Sequence, residues 1–325
     1  MNALGGETVA NVLLTSRCNL KCPYCFASDF VGSDYSEMSI ESFTDILDFV
    51  APDREIGLIG GEPLIYENID TVLDILRNDY RFSRVSIYTN GVNIDKHIDS
   101  LCFSKAHILI NVNSPCDIGE GAYKKMSDGI ELLISRGMIN QITLGINIYK
   151  ENQDFESFLA LVQKYGFSRV RVCVTIPNGG KESQSSYFSR MKGTLLSFYK
   201  KLLELRVAPC YDCNVIPACY YTDEEKSFLR RLPYFSEQER ALLLGETPVC
   251  SPIVDIYPDK TATRCFGCSN EIRVKINDFK SIHDLKNYFF MWVDSKKVHT
   301  PSKEECKSCY KFNTFACFGG CLCYK

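Results

Sequence analysis

The sequence predicts an α/β fold: a partial (β/α)6 barrel of the TIM type, followed by a small cysteine-rich domain. Three observations predict it. Six short runs rich in Val, Ile and Leu lie between residues 9 and 176, each bounded by polar residues or glycine. Amphipathic stripes at helical spacing fall between them. After Val207 prolines interrupt the pattern and cysteines become dense. A complete eight-fold barrel takes about 250 residues, and the repeats here stop near residue 206, so six units fit. The expected domains are 1–206 and 207–325.

The strand runs are 9–14, 55–59, 84–88, 107–112, 141–148 and 169–176. Their starts are far enough apart for helical crossovers, which makes the sheet parallel and the crossovers right-handed. Ile40, Phe43, Ile46, Leu47 and Val50 form the first helical stripe; Ile69, Val72, Leu73 and Leu76 form the next. Asp117 with Glu120 gives an N-terminal capping signal, Met126, Ile130 and Leu133 continue that stripe, and Gly137 supplies its stop. Phe155, Phe158, Leu159 and Val162 make another; Phe188, Met191, Leu195, Phe198 and Leu202 make a long one. These stripes read as core packing. Residues 222–246 read as a charged, mostly helical insertion.

Composition narrows the function classes. With 45% apolar residues the chain can bury a full core, and a net charge of -3 gives no basic footprint for nucleic acid. No run of eighteen apolar residues occurs, so no membrane partner is expected. The first eight residues do not read as a signal peptide. Seventeen cysteines is high usage; three fall in one early loop and eleven after Pro209. Without a signal peptide this points to metal ligation in a reducing, cytoplasmic setting.

The early loop directly follows the first strand and reads Cys18-x3-Cys22-x2-Cys25. Parallel α/β folds place their chemistry at strand C-termini, where this loop lands. A four-iron cluster normally takes four thiolates. Three on one loop suit a cluster with one iron left open for a ligand, as a catalytic zinc keeps an open position. The alternative is a zinc knuckle or buried thiols.

This spacing, with the aromatic Tyr24 before the last cysteine, resembles the radical S-adenosylmethionine (radical SAM) superfamily. The resemblance implies an enzyme. A [4Fe–4S] cluster at Cys18, Cys22 and Cys25 would chelate S-adenosyl-L-methionine. Its reductive cleavage would give a 5′-deoxyadenosyl radical that abstracts hydrogen from substrate. Gly60-Gly61-Glu62-Pro63 ends the second strand and matches the family's GGEP motif, which implies contact with the cofactor's amino group. Thr89-Asn90-Gly91 ends the third strand as in the family. Asn113-Ser114 stands where a Ser-Leu-Asp form is more usual, and implies ribose contacts. Asn147 on the fifth strand is a further candidate for the ribose or carboxylate. Such polar strand ends are also plain caps. Pro177-Asn178-Gly179-Gly180 reads as a turn that the resemblance places at the adenine. Cys116, just past the fourth strand, is a candidate hydrogen donor or else an idle thiol.

The C-terminal cysteines resemble the SPASM extension of this superfamily, which binds auxiliary [4Fe–4S] clusters. Cys306-x2-Cys309 and Cys317-x3-Cys321 with its paired glycines carry the likeness. The gap between them is seven residues rather than five, and Lys260 replaces an expected glycine. The resemblance implies one cluster from Cys213, Cys219, Cys250 and Cys265. A second would use Cys306, Cys309, Cys317 and either Cys321 or Cys323, with ligand exchange open; one structural zinc is the alternative. Cys210 and Cys268 are surplus and could ligate or donate hydrogen. His97, His107, His283 and His299 read as structural.

Most SPASM enzymes modify peptides, so the resemblance implies a ribosomally made peptide as substrate, cross-linked or epimerised. A separate leader-binding protein and a low-potential donor such as flavodoxin or ferredoxin would be partners. The alternatives are radical oxidation or epimerisation of a small molecule such as an aminosugar, and a non-enzymatic structural metal-binding protein.

Overall fold

The computed structural model describes residues 10–32, 36–175, 182–211, 214–232, 240–241, 244, 250, 253–268 and 272–324. The chain groups into two compact units, one of 7–144 with 252–289, the other of 145–251 with 290–325. This grouping differs from the expected boundary at 206/207. The physical reason is strand pairing: residues 252–289 return to the edge of the sheet that the N-terminal strand begins.

In the first unit, parallel strands β1 (Ala10–Leu13), β2 (Glu55–Ile59), β3 (Arg84–Thr89) and β4 (His107–Asn111) pair in sequence order. β1 pairs on its other side, also parallel, with the late strand β8 (Val254–Ile256). β9 (Thr261–Thr263) and β10 (Val274–Lys275) continue that edge antiparallel. The order is β10-β9-β8-β1-β2-β3-β4. The expected strand pair between Cys250 and Cys265 is the β8–β9 hairpin. Lys260, standing where the SPASM pattern has glycine, holds φ 58° in its turn, the left-handed region glycine favours. Its ammonium pairs with Asp45.

The connections are helical. α1 (Ile40–Val50) buries Phe43, Ile46, Leu47 and Val50, and Ser39 caps it by accepting from the Ser42 amide. α2 (Ile69–Asn78) buries the expected Ile69, Val72, Leu73 and Leu76. α3 (Ile98–Ser104) lies between β3 and β4. The expected cap at Asp117 is corrected. A short α4 (Pro115–Ile118) starts at Ser114, whose hydroxyl donates to Asp117, and Gly119 at φ 81° breaks it from α5 (Glu120–Ser135). Proline at the first helical position moved the start three residues earlier than the carboxylate suggested.

In-register residues of a parallel pair share a face. One face of this sheet carries Ile256, Val12, Leu58, Ile87 and Ile108, all fully buried. The other carries a polar row: Thr263, Asp255, Asn11, Gly57, Ser86 and His107. Gly57 is required there, since a Cβ would stand 2.2 Å from Asn11 Oδ1. Toward the strand C-termini that face turns apolar. Leu13, Ile59, Tyr257 and Phe266 pack with Ala27 and Phe30 from the cysteine loop.

In the second unit β5 (Ile142–Ile148), β6 (Arg169–Val174) and β7 (Ala208–Tyr211) form parallel pairs; β5 begins in the first unit. α6 (Glu156–Tyr165) and α7 (Gln184–Glu204) connect them. α7 buries Phe188, Met191, Leu195, Phe198 and Leu202, as its stripe predicts. α8 (Asp223–Arg230) opens the 222–246 segment with a full capping box between Thr222 and Glu225. The alternation of parallel strands and helices is the α/β class expected, with six β/α repeats preceding the cysteine-rich segments.

Candidate active site

The cysteine loop is held by the loops after β2, β3 and β4. Gly61 N–H donates to Thr15 O (2.8 Å) and Glu62 N–H to Arg17 O (2.8 Å), so the glycine pair lies against the backbone that leads into Cys18. A Cβ on Gly61 would stand 2.0 Å from Arg17 O, and one on Gly60 2.6 Å from Thr15 O. The paired glycines therefore serve a close approach between two backbones. Arg17 is fixed in turn by Glu37 (2.5 Å) and by Ile65 O (3.2 Å). From the loop after β3, Asn90 Nδ2 donates to Asn19 Oδ1 (2.8 Å). From the loop after β4, Asn113 Oδ1 accepts from the Tyr24 hydroxyl.

Glu62 is 1% exposed, and its carboxylate is a clasp. Oε1 accepts from the Thr89 hydroxyl (2.5 Å) and the Leu64 amide (3.0 Å), and Oε2 from the Asn90 amide (2.7 Å). Pro63 begins the 3₁₀ turn that this carboxylate caps. Burial pushes the Glu62 carboxyl up despite these donors.

Cys18, Cys22 and Cys25 lie within electrostatic reach of one another. Burial pushes Cys18 up to about 11 and Cys22 up to about 12. Cys25 rises for the same reason. Glu62 adds to both of the first two shifts, and Asp117 of α4 to that of Cys22. Burial and these neighbouring charges oppose the thiolate form, which binding of a cation would favour. The Leu20 amide points at Cys18 Sγ (3.5 Å) and the Ala27 amide bonds Cys25, a pattern that favours thiolate. Three soft donors on one loop, backbone N–H groups on two of the sulfurs and an apolar floor fit an iron–sulfur cluster held by three residues. Ser114 and exposed Cys116 sit at the start of α4 beside this loop.

Asn147 belongs to the second unit, where its Oδ1 accepts from Arg171 (2.8 Å). Pro177–Gly180 and Cys213 lie outside the described residues. Every described cysteine is free of disulfide. In the first unit the thiols of Cys265 and Cys268 are within 4.8 Å of each other, so Cys268 joins the candidate donors beside Cys265. Their loop is tied to β1: Asn11 Nδ2 donates to Asp255 Oδ1 (2.7 Å), and Asp255 bonds the Phe266 backbone. Burial, with Cys265 next, pushes Asp255 up to about 7. Phe266 stands edge-on to Phe26, the residue after Cys25, at 5.1 Å. In the second unit Cys219, Cys306, Cys309 and Cys317 come near one another, while the sequence pattern divided them between two sets. The polar signals at Asn11, Asn19, Asp255 and Arg17 were hidden from sequence reasoning, because each depends on a partner in a distant segment.

The model of the radical SAM superfamily matches residues 12–183, more than half of the chain. The chain belongs to the radical SAM superfamily. Among curated proteins it is 30% identical over 144 residues to a probable GTP 3′,8-cyclase of Methanococcus vannielii, covering 43% of this chain and 46% of that one. It is 31% identical over 93 residues to the GTP 3′,8-cyclase of Synechocystis, covering 28% of each. The chain thus spans under half the length of these curated relatives. Two solved structures share the fold of this radical SAM chain over nearly its whole length. One is anSMEcpe with bound AdoMet and the Kp18Cys peptide: TM-score 0.66, 18% identity, covering 96% of this chain and 88% of that one. The other is SuiB of Streptococcus suis bound to S-adenosylmethionine: TM-score 0.63, 14% identity, covering 97% and 72%. Among the described residues no helix is long and apolar enough to cross a membrane.

Proposed function

We propose that this radical SAM protein cleaves S-adenosyl-L-methionine reductively and uses the resulting radical to modify a ribosomally made peptide. The observation that carries the reading is the convergence of Cys18, Cys22 and Cys25 on one loop pinned by the glycine pair, Asn90 and Asn113. A [4Fe–4S] cluster held by Cys18, Cys22 and Cys25 would supply the single electron for reductive cleavage of the sulfonium cofactor, with methionine as the leaving group.

This chain's residues divide the remaining work. Cys18, Cys22 and Cys25 hold the cluster. Gly60 and Gly61 bring backbone close to the loop, and Glu62 and Asp117 supply negative charge near a cationic cofactor. Tyr24 with Asn113, together with Pro63, Asn90 and Ser114, line the cofactor's polar parts; Asn147, of the second unit, is a further candidate for the ribose or carboxylate. Cys116, exposed at the head of α4, is the candidate to return a hydrogen atom. Cys213, Cys219, Cys250, Cys265, Cys306, Cys309, Cys317, Cys321 and Cys323 provide for one or two auxiliary [4Fe–4S] clusters in a cytoplasmic setting. A flavodoxin or ferredoxin supplies electrons, and a separate protein presents the leader of the peptide.

The peptide reading is supported by the two fold relatives, one of which is described with a bound peptide. A second reading, a small-molecule substrate, is favoured by the GTP 3′,8-cyclase names of the sequence relatives. Anaerobic, iron-loaded protein given dithionite should release 5′-deoxyadenosine. Cys18→Ala, Cys22→Ala and Cys25→Ala should each abolish that release and lower bound iron. Undiminished release from these variants would refute the reading. A mass change on a co-expressed peptide, against turnover of a nucleotide or aminosugar, separates the two substrates.

A further inference from the structure

We propose that Cys219 is the fourth thiolate of an iron–sulfur site completed by Cys306, Cys309 and Cys317. The sequence pattern grouped Cys219 with Cys213, Cys250 and Cys265, and gave the C-terminal trio Cys321 or Cys323. The inference deepens the proposed function and rests on it only for the kind of metal group.

All four residues belong to the second unit. The Cys317 thiol lies within electrostatic reach of Cys219, Cys306 and Cys309, and the Cys219 thiol within reach of Cys306. The two segments that carry them are built onto one another. Lys303 hydrogen-bonds the Cys219 thiol and stands 4.6 Å over the ring of Tyr220, the next residue. Tyr220 meets Phe188 of α7 edge-on at 5.5 Å. The same Phe188, with Gln184, receives the glycine turn after Cys317: a Cβ on Gly320 would lie 2.8 Å from Phe188 Cε2 and 2.5 Å from Gln184 Oε1. Gln184 Nε2 also donates to Cys321 O (3.0 Å). One turn of α7 is therefore the shared floor for the Cys219 segment and the C-terminal loop.

The sulfurs are prepared for metal. The Gly319 amide points at Cys317 Sγ (3.2 Å), repeating the arrangement of Leu20 on Cys18. Ser302 donates to Gly319 O (2.7 Å) and lies 3.7 Å from Cys306 Sγ, which ties the start of this loop to its end. Four thiolates form a soft donor set that selects zinc or an iron–sulfur cluster. Lys303 offsets part of their negative charge. Cys219 is solvent-exposed, which gives the metal an entry path.

The test uses the full chain with Cys18, Cys22 and Cys25 all changed to alanine, so that the count does not depend on the first loop. Iron and sulfide are measured after anaerobic reconstitution, with electron paramagnetic resonance of the reduced protein. Cys219→Ala and Cys309→Ala should each remove up to about four iron and four sulfide per chain. They should also erase the same resonance signal. The double variant should lose no more than either single, since both residues serve one site. Cys219→Ser, which keeps an oxygen donor, should retain iron with an altered signal and confirm that the chain still folds. Unchanged iron and signal in Cys219→Ala, additive losses in the double variant, or zinc in place of iron would each overturn the proposal. Failure of 5′-deoxyadenosine release would leave this count intact and bear on the proposed function alone.

Discussion

Replacing Glu62 with glutamine tests how the loop after β2 is held. The change keeps shape and volume but exchanges one acceptor oxygen for a donor. Oε1 serves the Leu64 amide and the Thr89 hydroxyl, and Oε2 serves the Asn90 amide. Whichever way the new amide turns, one buried backbone N–H faces an N–H₂ group. Rotation of the Thr89 hydroxyl is limited, because its oxygen already accepts from the Gly91 amide (3.0 Å). Leaving a buried donor unpaired costs about 1–3 kcal/mol, and more when a charged acceptor is lost. Glu62→Gln should therefore destabilise the first unit by about 2–3 kcal/mol, and Glu62→Ala, which orphans all three donors, by about 4–6 kcal/mol. Urea unfolding read at the midpoint, with the slope unchanged, measures the loss. Hydrogen exchange at the Asn90 and Leu64 amides localises it. Stability within about 0.5 kcal/mol of the parent for Glu62→Gln, with both amides as protected as before, would refute the clasp.

Gly61→Ala should do comparable damage by a different route, because its Cβ meets Arg17 carbonyl oxygen at 2.0 Å and backbone must move. Loss of the Gly61–Thr15 and Glu62–Arg17 bonds should appear as faster exchange of both amides, with a cost of about 3 kcal/mol. His107 predicts a pH effect. Burial, with Arg84 next, holds its imidazole below the usual range. Below about pH 6.5 the unfolded chain takes up a proton that the folded chain refuses. Stability should then fall with pH until the folded imidazole also titrates. His107→Gln, which can still reach Thr143 Oγ1, should flatten that part of the profile. A profile unchanged by the substitution would show that His107 does not govern it.

Much was legible in the sequence because the signals are local. β2 and the first two helices fall where the sequence put them, since a short apolar run and helical stripes are read within a dozen residues. The three-thiol loop and the glycine–glutamate motif were readable for the same reason. The start of α4 was missed because Pro115 and Ser114 competed with Asp117 for the same helix end. Asn11 carries no signal of its own within the first strand run; β8, arriving from the far end of the chain, makes it the partner of Asp255.

The sequence by itself determined the α/β repeat, the cysteine loop and the superfamily, because each is written in short spacings that packing only has to preserve. Tertiary structure decided which distant residues meet. Glu62 reaches Thr89 and Asn90, Tyr24 reaches Asn113, and Cys219 approaches Cys306 and Cys317. Spacing along a chain cannot specify such meetings, because they depend on strand register and on the floor that one helix offers to two remote segments.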